Sequence, residues 1–428
     1  MLVAPQNKDR KLNIAFDEFD LDNGLHVIMH QDDTTPIVVV SVMYHVGSKN
    51  ERPDRTGFAH FFEHLLFEGT ANIPRGEYDK YVERAGGTLN ANTWFDRTYY
   101  YEILPSNQLD LGLWLESERM LHAKVDQIGI DTQRSVVKEE RKQRYDNQPY
   151  GTVLEETLKR AYTHHPYRWP VIGSMEHLDA ADEEDYQSFY EKFYVPDNAV
   201  LIVAGDFDKN DARASIEKYY GSIPRGQFDI NHDLPADVSL ESEVRDVIYD
   251  NIDLPAVIHA YRIPSMKHPD MYALDLLSKL LSEGESSRMH RRIVDDEEKA
   301  LAVYNFLLSL EHPGIMMTYA IANMGVEPAE LESAMDREVE LLKSSSISEK
   351  EFNKLKNQVE AKYVNRFRSL TGIAEALASY HTYFKDASLM NSDIENYLKV
   401  TIEDIHRVAN TYMNFDNRVA LHFLPKPN

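Results

Sequence analysis

The chain contains its own pattern twice. Asp185 to Val203 reappears as Asp404 to His422, with Asp185 against Asp404 and Asp197-Asn198 against Asp416-Asn417, at one spacing of 219 without a gap. Both stretches read as a helix, a short turn and an apolar strand. A second echo pairs Leu65-Leu66-Phe67-Glu68-Gly69 with Leu280-Leu281-Ser282-Glu283-Gly284 at a spacing of 215. Two nearly equal spacings predict a fold of two homologous units, each about half the chain. The boundary is read in 223–235, where Pro224, Gly226 and Pro235 stand among other turn formers. This predicts domains 1–228 and 229–428. A length of 428 residues suits two domains, and 43% apolar content is enough for two cores.

Within the first half the pattern predicts a strand ending at Asn23-Gly24, then strands near 25–30 and 37–46. Helices follow at 57–67 and 78–84, then strands at 88–94 and 98–104, then mostly helix to about Tyr194. The second half repeats the order, with strands near 244–249 and 256–262, a helix, two more strands, helices, and a last strand near 419–424. Strands followed by helices, with one late strand, point to α+β layering rather than a doubly wound parallel sheet.

His60-Phe61-Phe62-Glu63-His64 stands in the apolar segment 57–67. On a helix, residues four apart lie one turn apart on one face, so two imidazoles there can grip one cation. Glu63 lies beside that face. The order H-x-x-E-H inverts the better-known H-E-x-x-H zinc protease motif. Read alone, each histidine is equally at home as a core residue with a satisfied hydrogen bond. A catalytic zinc site takes three protein ligands and leaves one position open. The charged stretch 132–141 offers both Glu139 and Glu140, and its pattern does not choose between them.

The formal net charge is −25, from 71 acidic and 46 basic residues. Such a surface disfavours nucleic acid and anionic membranes and suits basic peptides, unless it serves solubility alone. The absence of cysteine excludes disulfides, thiolate ligands and cysteine nucleophiles. No stretch approaches the length of an apolar membrane span, and no glycine-rich phosphate loop follows a strand. His164-His165, beside Pro166, reads as a loop contact rather than a metal site. Met1–Lys11 has no apolar signal core. The expected compartment is the bacterial periplasm after removal of an export signal, with the cytoplasm as the alternative.

Residues 55–70 resemble the metal helix of the pitrilysin/insulinase (M16) metallopeptidases, the inverted-zincin family that includes the mitochondrial processing peptidases. The likeness continues through Gly86–Thr93 with Asp96, Thr98 and Tyr99, and through His165-Pro166-Tyr167 with Val171-Ile172-Gly173. It extends to Tyr194–Asn198, Gly205-Asp206 and Ser286-Ser287-Arg288. It covers essentially the whole chain and is similar to the short-chain M16B branch. The resemblance implies two homologous α/β-roll domains, each a mainly antiparallel sheet packed with helices, together forming half of a clamshell around a chamber. It implies a Zn2+ cofactor held by His60, His64 and Glu140, which the family's spacing selects over Glu139. Glu63 would act as the general base in peptide hydrolysis. Asn90 and Ala91 fall on a sheet edge that pairs with the substrate backbone.

Two departures stand out. Gln133, seven residues before Glu140, replaces a glutamate that supports the metal site in the family; its amide can still hydrogen-bond a ligand histidine. In the second half, an arginine and a tyrosine that assist catalysis in single-chain members fall at Val294 and Leu301, with Arg291, Arg292 and Tyr304 nearby. The second-half counterparts of His60, Glu63 and His64 are Asp275, Ser278 and Lys279. The resemblance therefore implies a zinc-bearing endopeptidase subunit. It would need a homologous partner, in a heterodimer, or a homodimer using other local residues. A catalytically weak peptide-binding subunit and an assembly subunit of the same fold are the rival readings.

Overall fold

The computed structural model describes residues 13–235, 237 and 240–427. The start of the chain, where no signal core was read, lies outside the described residues. The first half contains β1 (Asp17–Asp20), β2 (His26–Gln31), β3 (Ile37–Tyr44), β4 (Thr88–Thr93), β5 (Thr98–Pro105) and β6 (Ala199–Gly205). Its helices are α1 (Phe58–Leu65), α2 (Tyr78–Arg84), α3 (Leu109–His122), α4 (Gln127–Arg141), α5 (Val153–Ala161), α6 (Met175–Ala180), α7 (Glu183–Phe193) and α8 (Lys209–Tyr220). The second half contains β7 (Val244–Asp250), β8 (Ala256–Arg262), β9 (Ala300–Leu308), β10 (Ile315–Ala322) and β11 (Arg418–Pro425). Its helices are α9 (Asp270–Ser282), α10 (Pro328–Ser344), α11 (Glu349–Arg366), α12 (Leu370–Phe384), α13 (Asp393–Lys399) and α14 (Ile402–Tyr412).

The duplication is written in the strand order. The first sheet runs β1-β2-β6-β3-β5-β4 and the second β7-β11-β8-β10-β9. Apart from β1 the two orders correspond strand for strand. Each sheet has one parallel pair, β2 with β6 and β7 with β11. The remaining pairs are antiparallel. The architecture is α+β, as expected. Among the described residues no helix is long and apolar enough to cross a membrane.

Both faces of the central strands are covered, which explains their unbroken apolar runs. On β3, Val38, Val40, Val42 and Tyr44 join the core beneath α1 and α3. Val39 and Met43 point the other way, as do Val200 and Ile202 of β6. That second face is covered by α12, through Ile373, Ala374, Leu377 and Ala378. The exchange is mutual: Val153, Leu158 and Ala161 of α5 cover Ile258, Ala260, Leu421 and Phe423 on the outer face of the second sheet. Each sheet is thus closed by a helix from the other half.

A buried ionic cluster joins the halves. Lys49 pairs with Asp96 (3.2 Å) and with Glu311, and His45 Nε2 meets Glu311 at 2.7 Å. The Tyr167 hydroxyl donates to Asp96, so His165-Pro166-Tyr167 belongs to this junction. His165 itself accepts from the Tyr167 N–H at 3.2 Å, a turn contact.

Candidate metal centre

Helix α1 has only eight residues, too short to be stable by itself in water. Its apolar side, Phe58, Phe61, Phe62 and Leu65, is buried in the first core. Phe58 stacks on Tyr186, with ring centroids 4.5 Å apart. Both ends are held by buried polar side chains. Glu51 accepts from the Gly57 and Ala59 N–H groups, each at 2.9 Å. Arg119 donates to the Leu66 carbonyl at 3.2 Å and lies over the rings of Phe67, Tyr78 and Tyr100. Burial pushes the Glu51 carboxyl up to about 8, so it serves the N-terminus as a hydrogen-bond acceptor, while the Arg119 cation at the C-terminus favours the helix dipole. The Tyr100 hydroxyl also donates to the Phe62 carbonyl at 2.9 Å.

The entry to α1 depends on two glycines. Gly57 has φ +92° and Gly173 φ +72°; a Cβ on Gly173 would lie 2.3 Å from Gly57 Cα. The motif glycine of 171–173 is therefore a packing requirement for the start of α1.

His60, Glu63 and His64 occupy the side of α1 turned toward α4 and the edge strand β4. The His60 and His64 rings meet at 4.9 Å and 76°. Glu140, in the last turn of α4, brings Oε2 to 3.2 Å from His64 Nε2 and 3.5 Å from His60 Nε2. One donor atom from each of the three residues lies within 4.8 Å of the others. Glu140 Oε2 is buried and faces the two imidazole nitrogens, with no other hydrogen-bond partner. Ligands about 2.0–2.1 Å from a tetrahedral zinc stand roughly 3.3 Å apart, so the three residues fit such an ion. Glu139 is not part of this group.

The electrostatics suit a cation. Burial, reinforced by His64, drives His60 down to about 4, leaving a neutral ring with a free lone pair. The His64 hydrogen bond holds the Glu140 carboxyl below its ordinary range against the penalty of burial. Arg144, one turn beyond, takes the other Glu140 oxygen at 2.8 Å. Burial raises the Glu63 carboxyl, opposed first by hydrogen bonding to Thr93. A carboxyl raised in this way is better matched to proton transfer near neutral pH.

Gln133 lies on the same side of α4, but its amide nitrogen donates to Glu68 at 2.6 Å rather than to a ligand histidine. Glu68 in turn pairs with Arg75 at 2.5 Å. The Gln133 oxygen and His60 Nδ1 are both buried without partners. Asn90 and Ala91 lie on β4, the outermost strand beside the metal helix. There the Asn90 side chain accepts from the Ala91 N–H at 2.8 Å.

In the second half, Asp275 and Lys279 form an ion pair, and Ser278 Oγ bonds Asn305 at 2.6 Å. A salt bridge thus occupies the turn that carries histidines in α1. Val294 lies in the helical turn His290–Asp296 and packs against the second core. Leu301 is exposed on β9. Arg292 is paired with Glu297 at 3.0 Å, and Tyr304 is exposed on the same edge strand.

Sequence reasoning missed Glu51, Arg119, Arg144 and Thr93. Arg144 carried a signal in its spacing of four from Glu140, and Thr93 in closing the family-like stretch 86–93.

The family profile described as Insulinase (Peptidase family M16) matches residues 26–174, and that described as Peptidase M16 inactive domain matches 180–359. The zinc protease PqqE of Helicobacter pylori is 32% identical, over 95% of this chain and 92% of that one. A crystal structure of a protease from Helicobacter pylori superposes with TM-score 0.91 at 30% identity, covering 96% of this chain and 100% of that one. The periplasmic protease PqqL of Escherichia coli has the same fold at 19% identity, with TM-score 0.78 over 97% of this chain and 48% of that longer one.

Proposed function

The chain belongs to the insulinase family of M16 peptidases, and on that premise we propose that it is the zinc-bearing subunit of a metalloendopeptidase. The observation that carries this reading is the convergence of His60, His64 and the buried Glu140 oxygen that faces both imidazoles, beside Glu63. The PqqE relative is called a zinc protease, which agrees with the donor set. Two imidazoles and one carboxylate would hold zinc and leave room for solvent. When bound, zinc supplies Lewis acidity, making the attacking water more acidic and polarising the peptide carbonyl.

The protein's own residues do the rest. Glu63, with its carboxyl raised by burial, accepts the proton of the attacking water and passes it to the leaving amine nitrogen. The edge strand β4 binds extended substrate by backbone pairing, with Asn90 releasing the Ala91 N–H for the incoming chain. Gln133 steadies the metal helix through Glu68. The substrate class is peptides or unfolded segments admitted to an enclosed chamber, and the charge of −25 favours basic ones.

Val294 and Leu301 carry no side-chain donor for the oxyanion of the attacked carbonyl. A homologous partner subunit would therefore supply an arginine and a tyrosine from across the chamber. The match to about half of PqqL supports this, because that longer chain has room for a second such unit. A homodimer using Arg291 or Arg292 with Tyr304 is the alternative assembly. The periplasm is the proposed compartment.

The test is zinc content together with hydrolysis of a fluorogenic peptide library, by the chain alone and with a companion bearing the arginine–tyrosine pair. Glu63→Gln is expected to lower kcat by about 10²–10⁴-fold with zinc retained. Full activity in the variant would remove Glu63 from the reaction. Full activity of the unaccompanied chain would remove the need for a different partner. Bound zinc with no cleavage in any pairing would favour a peptide-binding or assembly subunit.

A further inference from the structure

We propose that Glu18, His26 and His381 form a second cation site, for a late first-row divalent metal such as zinc, separate from the centre on α1. One donor atom from each residue lies within 4.8 Å of the others. The three come from β1, β2 and α12, so the site joins the first sheet to the helix contributed by the second half.

The geometry of His26 is that of a prepared ligand. Asp20 stands directly opposite His26 across the β1–β2 pair. Its Oδ1 is 2.7 Å from His26 Nδ1. That carboxylate fixes the proton on Nδ1 and leaves the Nε2 lone pair free, the arrangement in which a carboxylate orients a metal-binding histidine. Nε2 is buried without a hydrogen-bond partner and lies 3.4 Å from Glu18 Oε2. An orphaned buried nitrogen facing a carboxylate is costly unless something positive sits between them.

His381 lies in the last turn of α12, where the helix dipole favours a cation. Its ring stacks on His26, with centroids 3.5 Å apart and planes 13° from parallel. Coordination requires the two rings to splay from face contact until both nitrogens point at the ion. Room for that motion and for entry exists, because Asp20, His26 and His381 line a cavity of about 1120 Å³. Two imidazoles and a carboxylate select zinc or a neighbouring transition metal rather than calcium or magnesium. Bound there, the ion would tie the end of α12 to the β1–β2 hairpin.

The experiment counts zinc in the full-length chain equilibrated at micromolar free Zn2+, with a melting curve for each variant. The expected contents are two per chain for the native protein, one for H60A/H64A and none when H26Q/H381Q is added. Zinc should raise the Tm of H60A/H64A by several degrees and leave the quadruple variant unmoved. If H60A/H64A fails to fold, H26Q/H381Q alone is expected to drop the content from two to one. A zinc content untouched by H26Q/H381Q overturns the proposal. A content of one that is lost in H26Q/H381Q and kept in H60A/H64A would instead support this site and remove the one on α1.

Discussion

At the scale of single residues, helix α1 is held by groups outside the candidate metal centre. Glu51 is buried and offers both carboxylate oxygens to the first turn of α1, one to Gly57 and one to Ala59. Glu51→Ala would leave two buried N–H groups without acceptors, each a loss of about 1–3 kcal/mol. The expected outcome is a destabilisation of roughly 3 kcal/mol and a zinc affinity lower by about 10–100-fold, as for other supports of ligand geometry. Denaturant unfolding and a competitive zinc titration read the two effects separately. Unchanged affinity in a destabilised variant would show that packing alone orients α1. Gly173→Ala makes a related demand. The new Cβ would sit 2.3 Å from Gly57 Cα at φ +72°, so α1 must shift at its origin. Its melting temperature should fall, and its zinc affinity with it.

At the scale of elements, the second half knits its helix layer to its sheet by buried charge. Glu332 of α10 accepts from Arg245 of β7 (2.5 Å) and lies 2.9 Å from His422 of β11 and 3.4 Å from His259 of β8. Burial alone would raise its carboxyl. Hydrogen bonds from His259, His422 and Arg245 outweigh that and hold it well below the usual carboxylate range. A carboxyl depressed on folding contributes stability that is complete above its unfolded value, 4.5, and is lost progressively as pH falls below it. Glu332→Gln is therefore expected to cost about 3–5 kcal/mol at neutral pH. The gap from the native protein should narrow steadily in urea melts taken from pH 5 down to pH 3. A gap independent of pH would mean that shape, not charge, is what the glutamine fails to replace. This cluster also marks the limit of what the sequence reveals. The strands of both sheets were legible because their apolar runs end at clear turns, and the His60–His64 pair as a candidate because spacing and residue type coincide, whereas Glu140 came only from the family resemblance. Glu51, Arg119 and Glu332 were not, because a charged residue in a polar stretch looks solvated until its neighbours are known. For the same reason Gln133 was legible as a position but not as a partner of Glu68.

At the scale of the whole molecule, the exchange of α5 and α12 governs how the two halves depend on each other. An amphipathic helix announces that one face will be covered but not by which sheet, so the duplication was readable and the exchange was not. Cutting the chain between 228 and 229 would strip α12 from the first sheet and bare Ile28, Val39, Met43, Val200 and Ile202. It would also strip α5 from the second sheet and bare Ile258, Leu421 and Phe423. A contiguous apolar face of that kind exceeds what a monomer ordinarily leaves in water. The buried cluster of Lys49, Asp96 and Glu311 would lose its glutamate at the same cut, leaving a buried lysine short of one counter-charge. The fragment 1–228 made alone should therefore aggregate or bind a hydrophobic dye, although it carries all four residues of the α1 centre. Produced together, 1–228 and 229–428 should associate one to one, and zinc binding at His60, His64 and Glu140 should return with the association. A soluble, cooperatively melting 1–228 with native zinc affinity would show instead that the exchanged helices decorate two self-sufficient domains.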